Sequence, residues 1–238
     1  MTVQQLPEQI IFLPGYGEDP DMVRPFTDAL SGGLQRDVKV ADYYRRNDHR
    51  YHPEGLPSRE LAARAAEQFG YEGFGRLDRQ ESVGAVGHSM GARVLKHFEG
   101  LDGRVLLAPE GLEKGGWALT RRFTHDIFRQ AAFGPWSDRW FAARQLGNIL
   151  SHPGESVGLA SEMMSEGMTE EEIARLNPTL LIAYKDDAVI APGSVASPLS
   201  SANATGVRYR RLSGGHYEPF INPHPTVKVI KDHYDLAA

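Results

Sequence analysis

The sequence predicts an α/β protein with a mostly parallel six-stranded sheet and helices on both faces. Three observations carry that expectation. Short apolar runs rich in β-branched residues alternate with segments of helical periodicity, the order that builds a parallel sheet. The chain has 238 residues, enough for one such domain with a substantial core and a modest insertion. A Gly-x-Ser-x-Gly pentapeptide, Gly87-His88-Ser89-Met90-Gly91, falls at a strand-to-helix junction.

The elements follow in order. Ile10-Ile11-Phe12-Leu13 marks a first strand at 9–14, and a helix over 21–30 is expected to end at Ser31-Gly32-Gly33. A second strand spans 38–43. A polar loop runs from Tyr44 to Pro57, after which Ser58 is expected to cap a helix over 59–69 that Gly70 closes. The run 82–86 is a third strand, and it leads through the pentapeptide into a helix over 92–98. A fourth strand lies at 104–108. Strands at 179–184 and 207–212 complete the six, and 224–236 is the closing helix.

Between the fourth and fifth strands lies a stretch far longer than a βα connection. The domain reading is therefore a core of 1–109 and 177–238, with a helical insertion at 110–176. Leu119, Phe123, Ile127 and Ala131 recur every four residues. Pro135-Trp136-Ser137 interrupts them, and a second helix covers 138–150. Thr169 and Glu172 form a capping box for a short helix that Asn177-Pro178 stops. All three tryptophans, Trp117, Trp136 and Trp140, lie in this insertion.

Composition narrows the functions open to the chain. The formal net charge is −5 with no basic block, which argues against nucleic acid as a partner. The absence of cysteine removes disulfides and thiolate metal sites. No secretion signal is visible at the first residues, and no apolar run reaches the ~20 residues of a membrane span. The expectation is a soluble, cytoplasmic protein. His49 and His52 stand in a polar loop without further ligands, so no metal and no cofactor is expected.

The pentapeptide suggests nucleophilic chemistry. On a tight turn, Ser89 would project its hydroxyl out of the sheet, with glycine at 87 and 91 where any side chain would strike backbone. A serine hydroxyl is protonated at neutral pH and needs an adjacent base. His216 follows the last strand behind Gly214-Gly215, a turn that would swing its ring towards Ser89. An acid is expected to orient the imidazole. Asp186, Asp187 and Glu110 each follow a strand and are the candidates.

Serine, acid and histidine in that order, each just after a strand, resemble the α/β-hydrolase superfamily, and the resemblance runs from about Ile10 to the C-terminus. It implies Ser89 as nucleophile and His216 as base. It favours Asp187 as the acid, three residues beyond Tyr184 at the strand end. It implies an oxyanion hole from the backbone N–H groups of Tyr16 and Met90, in Pro14-Gly15-Tyr16-Gly17 and in the pentapeptide. It makes the insertion a lid, with Tyr16, Gly15, Trp117 and Trp140 as candidate substrate contacts. The implied activity is that of a serine hydrolase of the carboxylesterase or thioesterase kind. It would cleave a small or medium carboxylic ester or thioester, a small-molecule acyl substrate, through an acyl-enzyme. A carbon–carbon bond or lactone substrate, and a ligand receptor without turnover, are the other readings. With Ser89, His216, Asp187 and Tyr16 outside the insertion, replacing about 111–176 by a short linker is expected to cost discrimination between acyl chains more than reactivity towards a small activated ester.

Overall fold

A computed structural model describes residues 6–43, 57–71, 82–110, 112, 116–152, 157–158, 160–162, 167–169, 171–173, 180–193 and 207–235; the side chains of 57, 116, 117, 120, 137 and 235 fall outside that description. The loop that carries His49 and His52 lies outside the described residues.

Six strands form one sheet: β1 (Gln9–Leu13), β2 (Asp37–Val40), β3 (Val83–His88), β4 (Gly103–Leu107), β5 (Leu180–Tyr184) and β6 (Arg208–Leu212). Their spatial order is β2-β1-β3-β4-β5-β6, and every neighbouring pair is parallel. Strands β1, β3 and β5 are buried along their whole length, so their near-continuous apolar runs are covered on both faces. The last strand, Arg208-Tyr209-Arg210-Arg211-Leu212, is an edge, and its arginines discourage further strand pairing. Because all strands run the same way, their carboxyl ends share one rim of the sheet. The loops after Leu13, His88, Leu107, Tyr184 and Leu212 therefore gather there.

Helices cover both faces. One apolar cluster joins α2 (Pro57–Gln68) and α3 (Gly91–Leu95) to the sheet and includes Leu119, Phe123, Ile127, Met168 and Ile173 of the insertion. The other packs α1 (Pro20–Leu34), α6 (Glu218–Ile221) and α7 (Pro223–Asp235) through Phe26, Leu30, Phe220, Val227 and Ile230. The insertion contributes α4 (Gly116–Phe133) and α5 (Trp136–Ser151).

Several boundaries differ from expectation. Helix α1 does not end at Ser31-Gly32-Gly33 but continues to Leu34, where Gln35 takes a left-handed φ of 53°. Gly33 serves packing instead: a Cβ there would sit 2.6 Å from Val227 Cγ1 on α7. Helix α2 begins at Pro57, a residue suited to a first turn, so Ser58 lies inside the helix and does not cap it. The Ser58 hydroxyl donates to Glu162 of the insertion at 2.6 Å. The second strand ends at Val40, and α3 is shorter than expected. The expected closing helix is α7, and a short further helix, α6, precedes it. The capping box forms: Glu172 N–H donates to Thr169 Oγ1 (3.1 Å), and Thr169 N–H donates to the Glu172 carboxylate (2.9 Å).

Candidate active site

Strand β3 delivers Ser89 to the rim of the sheet on a strained turn. Its φ is 50°, a left-handed conformation that costs a non-glycine residue of order 1–3 kcal/mol. The chain crosses itself closely here. A Cβ on Gly91 would run into the Leu13 carbonyl, and one on Gly87 would lie 2.9 Å from the Gly91 carbonyl oxygen. The turn is strapped to the end of β4. Ser89 N–H donates to Leu107 O (2.9 Å), and Glu110 N–H donates to Ser89 O (3.0 Å).

His216 is buried beside this turn, and its Nδ1 lies 2.9 Å from Asp187 Oδ2. The other oxygen of Asp187 accepts from the N–H groups of Val189 (2.8 Å) and Ile190 (2.7 Å). That loop therefore fixes the carboxylate before the histidine meets it. Burial alone would lower the basicity of His216. The adjoining Asp187 carboxylate, through charge and hydrogen bond, outweighs burial with help from Glu18 and Asp126, and the net shift is upward.

The other two candidate acids are engaged elsewhere. Asp186 is exposed and faces the Gly214 N–H at 3.4 Å. Glu110 is buried and grips Arg93 with two bonds of 2.9 Å. Arg93 also reaches Glu162 at 3.5 Å. Among the described residues Ser89 Oγ makes no hydrogen bond, and neither does Met90 N–H.

Sequence reasoning missed two residues that organise the site. The first is Glu18. It accepts from Gly15 N–H at 2.5 Å and lies 2.9 Å from His88 Nδ1. His88 Nε2 in turn donates to the His216 carbonyl at 3.0 Å, and the two imidazoles lie 4.9 Å apart between centroids. One buried carboxylate thus links the loop after β1, the serine turn and the histidine loop. Gly15 faces this carboxylate: a Cβ there would be 2.7 Å from Glu18 Oε1.

The second is Gln145 of α5, only 1% exposed. Its Nε2 donates to the Tyr16 carbonyl at 2.5 Å, and its Oε1 accepts from the Tyr217 hydroxyl at 2.9 Å. Helix and loop touch so closely that Gly17, at φ 76°, has no room for a Cβ: one would lie 2.7 Å from Gln145 Cγ. Asn148 Nδ2 reaches Gly17 O (3.0 Å) and Asp19 (2.9 Å), and Arg144 pairs with Asp19 (2.7 Å) and Asp21 (2.8 Å). A signal was present in the sequence. Gln145 falls three and four residues after Ala142 and Phe141, on the helix face that those apolar residues bury.

Beside Tyr16 lies an apolar cavity of about 160 Å³, walled by Phe123, Ile127 and Phe128 of α4 and by Leu146 and Ile149 of α5. The Tyr16 and Phe123 rings meet at 5.5 Å. Trp140 does not join the wall. It is 45% exposed, with the Arg144 guanidinium 5.4 Å above its ring. It sits on the outer flank of α5, next to the buried positions Phe141 and Ala142. The side chain of Trp117 lies outside the described residues. Among the described residues no group of three His, Asp or Glu side chains is placed to share a metal ion, and no helix is long and apolar enough to cross a membrane.

Neither a family model nor a curated protein matches the sequence. Solved structures do. A bacterial membrane phospholipase A superposes with a TM-score of 0.71 at 15% identity, covering 97% of this chain and 79% of the other. An esterase from Thermogutta terrifontis gives 0.66 at 17%, over 98% and 92%. A meta-cleavage product hydrolase from Pseudomonas fluorescens gives 0.64 at 16%, over 98% and 93%. With the parallel sheet, the serine turn at its rim and the loops gathered above it, the chain has the α/β-hydrolase fold.

Proposed function

We propose that the protein is a serine hydrolase that cleaves small or medium carboxylic esters or thioesters through an acyl-enzyme. The observation that carries this reading is the 2.9 Å contact between His216 Nδ1 and Asp187, set beside a serine at φ 50°. Ser89 Oγ attacks the substrate carbonyl as its proton passes to His216 Nε2. Asp187 holds the imidazole in the required tautomer and stabilises the imidazolium. The Ser89–His216 hydrogen bond closes when substrate is bound, as such contacts tighten in the reacting complex. The tetrahedral oxyanion is met by the N–H groups of Tyr16 and Met90, each worth on the order of 3 kcal/mol. His216 then gives its proton to the leaving oxygen or sulfur. A water, deprotonated by the same ring, releases the acid.

The surroundings support this assignment of roles. Gln145 holds the Tyr16 carbonyl and so sets the plane of the neighbouring peptides. It acts as a positioning residue for the oxyanion loop. The insertion, 110–176, roofs the acyl pocket as a lid. A cavity of about 160 Å³ is close to one of ~150 Å³ that takes a benzene ring in another protein, which fits an acyl group of about six carbons.

The test is steady-state hydrolysis of p-nitrophenyl esters of increasing acyl length. Turnover that peaks at medium length, with a burst of p-nitrophenol equal to the enzyme present, supports an acyl-enzyme. A folded wild-type protein that turns over no ester or thioester favours the receptor reading.

A further inference from the structure

Arg93 lies in α3, just beyond the serine turn, and is 1% exposed. Arginine keeps its proton in a protein, so a buried one must be met by anions or other acceptors. Arg93 meets two carboxylates from distant parts of the chain. Glu110, after β4, takes Nε and one terminal nitrogen on its two oxygens, both at 2.9 Å. Glu162, in the insertion, lies 3.5 Å from the other terminal nitrogen. Burial opposes the charge of Arg93, but the two carboxylates outweigh it, and its proton affinity is raised. Glu162 is itself seated at the start of α2, where the Ser58 N–H (2.9 Å) and hydroxyl (2.6 Å) donate to it. The first N–H groups and positive end of a helix favour a carboxylate there.

Glu110 joins this cluster to the serine turn. Its main-chain N–H donates to Ser89 O at 3.0 Å, and Ala92 N–H of α3 donates to the same oxygen at 3.1 Å. That oxygen belongs to the peptide group between Ser89 and Met90. A trans peptide is planar, with its C=O and N–H pointing opposite ways. Fixing Ser89 O therefore fixes the direction of Met90 N–H. Under the hydrolase reading, on which this inference rests, Met90 N–H is one of the two oxyanion donors. The side chain and main chain of Glu110 thus connect Arg93 to the aim of that donor. A non-glycine residue at φ 50° persists only where its surroundings over-determine it.

We infer that Arg93 is a positioning residue for the oxyanion hole: it clamps Glu110 against α3, Glu110 holds the Ser89–Met90 peptide, and Glu162 completes the clamp from the insertion. The seating of the insertion and the reactivity of Ser89 are thereby coupled through one buried cation. The two oxyanion donors then depend on the insertion from two sides, through Gln145 at Tyr16 and through Glu162 and Arg93 at Met90.

The experiment compares three variants on p-nitrophenyl butyrate: Glu162→Gln, Arg93→Met, and the neutral triple variant Arg93→Met/Glu110→Gln/Glu162→Gln. Arg93→Met leaves two buried carboxylates without their cation, so Tm and kcat should both fall. The triple variant removes all three charges, and its Tm should return close to the wild-type value. Its kcat should nevertheless stay about 10²-fold below wild type with KM within about threefold, the pattern of a contact made only in the transition state. A crystal structure of the triple variant should show the Ser89–Met90 peptide rotated or divided between two orientations. Glu162→Gln keeps an acceptor for Ser58 but loses the charge beside Arg93, and it should lower kcat severalfold at every acyl length. If Arg93→Met does not fold, the triple variant against wild type carries the comparison. Recovery of both Tm and kcat in the triple variant overturns the inference, because Arg93 then serves stability alone. So does a Ser89–Met90 peptide left in its wild-type orientation. Wild-type kcat in Glu162→Gln overturns the coupling to the insertion. If the wild type hydrolyses nothing, or Ser89→Ala stays active, the hydrolase reading fails, while the crystal structure still decides whether the clamp sets that peptide.

Discussion

Helices α4 and α5 of the insertion both lie over the rim of the sheet, but they are attached by different means. Helix α4 meets the core through apolar side chains: Leu119, Phe123 and Ile127 join the sheet's own cluster, and Phe123 packs on the Tyr16 ring. Helix α5 meets the loop after β1 and the first turn of α1 through hydrogen bonds from Arg144, Gln145 and Asn148 to Tyr16, Gly17, Asp19 and Asp21. Apolar contacts tolerate sliding and resizing, whereas buried hydrogen bonds fix a peptide in one orientation. Under the proposed function, the apolar residues of α4, with Leu146 and Ile149 of α5, would govern which acyl group fits, and the polar residues of α5 would govern how well the Tyr16 loop is set for every substrate. The expectation that removing the insertion costs acyl discrimination more than reactivity towards small esters therefore changes. Deleting 111–176 also deletes Gln145 and Asn148, and small-ester turnover should fall together with acyl selectivity.

The sharpest way to break the comparison is at Gln145. Gln145→Ala leaves the Tyr16 carbonyl and the Tyr217 hydroxyl without their buried partner. It should lower kcat about 10²-fold for all acyl lengths alike and cost about 1–3 kcal/mol of stability in a denaturant titration. Gln145→Glu can still accept from Tyr217 but cannot donate to Tyr16 when ionised. It should recover more stability than turnover. A loss confined to long acyl chains would mean that Gln145 acts on the acyl pocket, which α5 also walls through Leu146 and Ile149, and not on the Tyr16 loop, and would erase the distinction.

Phe123→Ala on α4 should behave in the opposite way. It enlarges the cavity, so the preferred acyl chain should lengthen while the best kcat stays within about tenfold, read from KM and kcat across an ester series. A smaller effect is expected at Asn148, whose amide shares its load between Gly17 and Asp19. Asn148→Ala should reduce kcat about tenfold with no change in acyl preference.

The pH profile probes the floor of the site, beneath both helices. In the proposed mechanism His216 would act as a base only when neutral, and its affinity for a proton is raised by Asp187, Glu18 and Asp126 despite burial. The acidic limb of kcat/KM should therefore lie above the ordinary histidine value of ~6.5. Activity is full above that limb and is lost as pH falls through it. Removing the Asp187 charge in Asp187→Asn should move the limb down and cut turnover by roughly 10⁴. Asp186→Asn, at an exposed carboxylate, should move neither.

Much of this arrangement was legible in the sequence, because it rests on local chemistry. The alternation of strands and helices, the glycines around Ser89 and the Thr169–Glu172 capping box each announce their structure within a few residues. The order of Ser89, Asp187 and His216 placed all three at the same rim. What escaped depends on distant packing. Gly32-Gly33 looks like a helix end, but Gly33 accommodates Val227 nearly two hundred positions later. Glu18 and Gln145 carry no motif, and their roles emerge only when the loop after β1, the serine turn and α5 meet. Trp140 drew attention by composition, yet the periodicity of α5 turns it outward.

The central claim is that Ser89 is a nucleophile activated by His216. Titration with a fluorophosphonate, followed by peptide mass mapping and residual esterase activity, tests it most directly. The account predicts one phosphonyl group per chain, attached at Ser89, with activity lost in proportion to labelling, and labelling slowed at least about 10³-fold in His216→Ala. Labelling at another residue, or an unlabelled Ser89 in a fully inhibited protein, would contradict it.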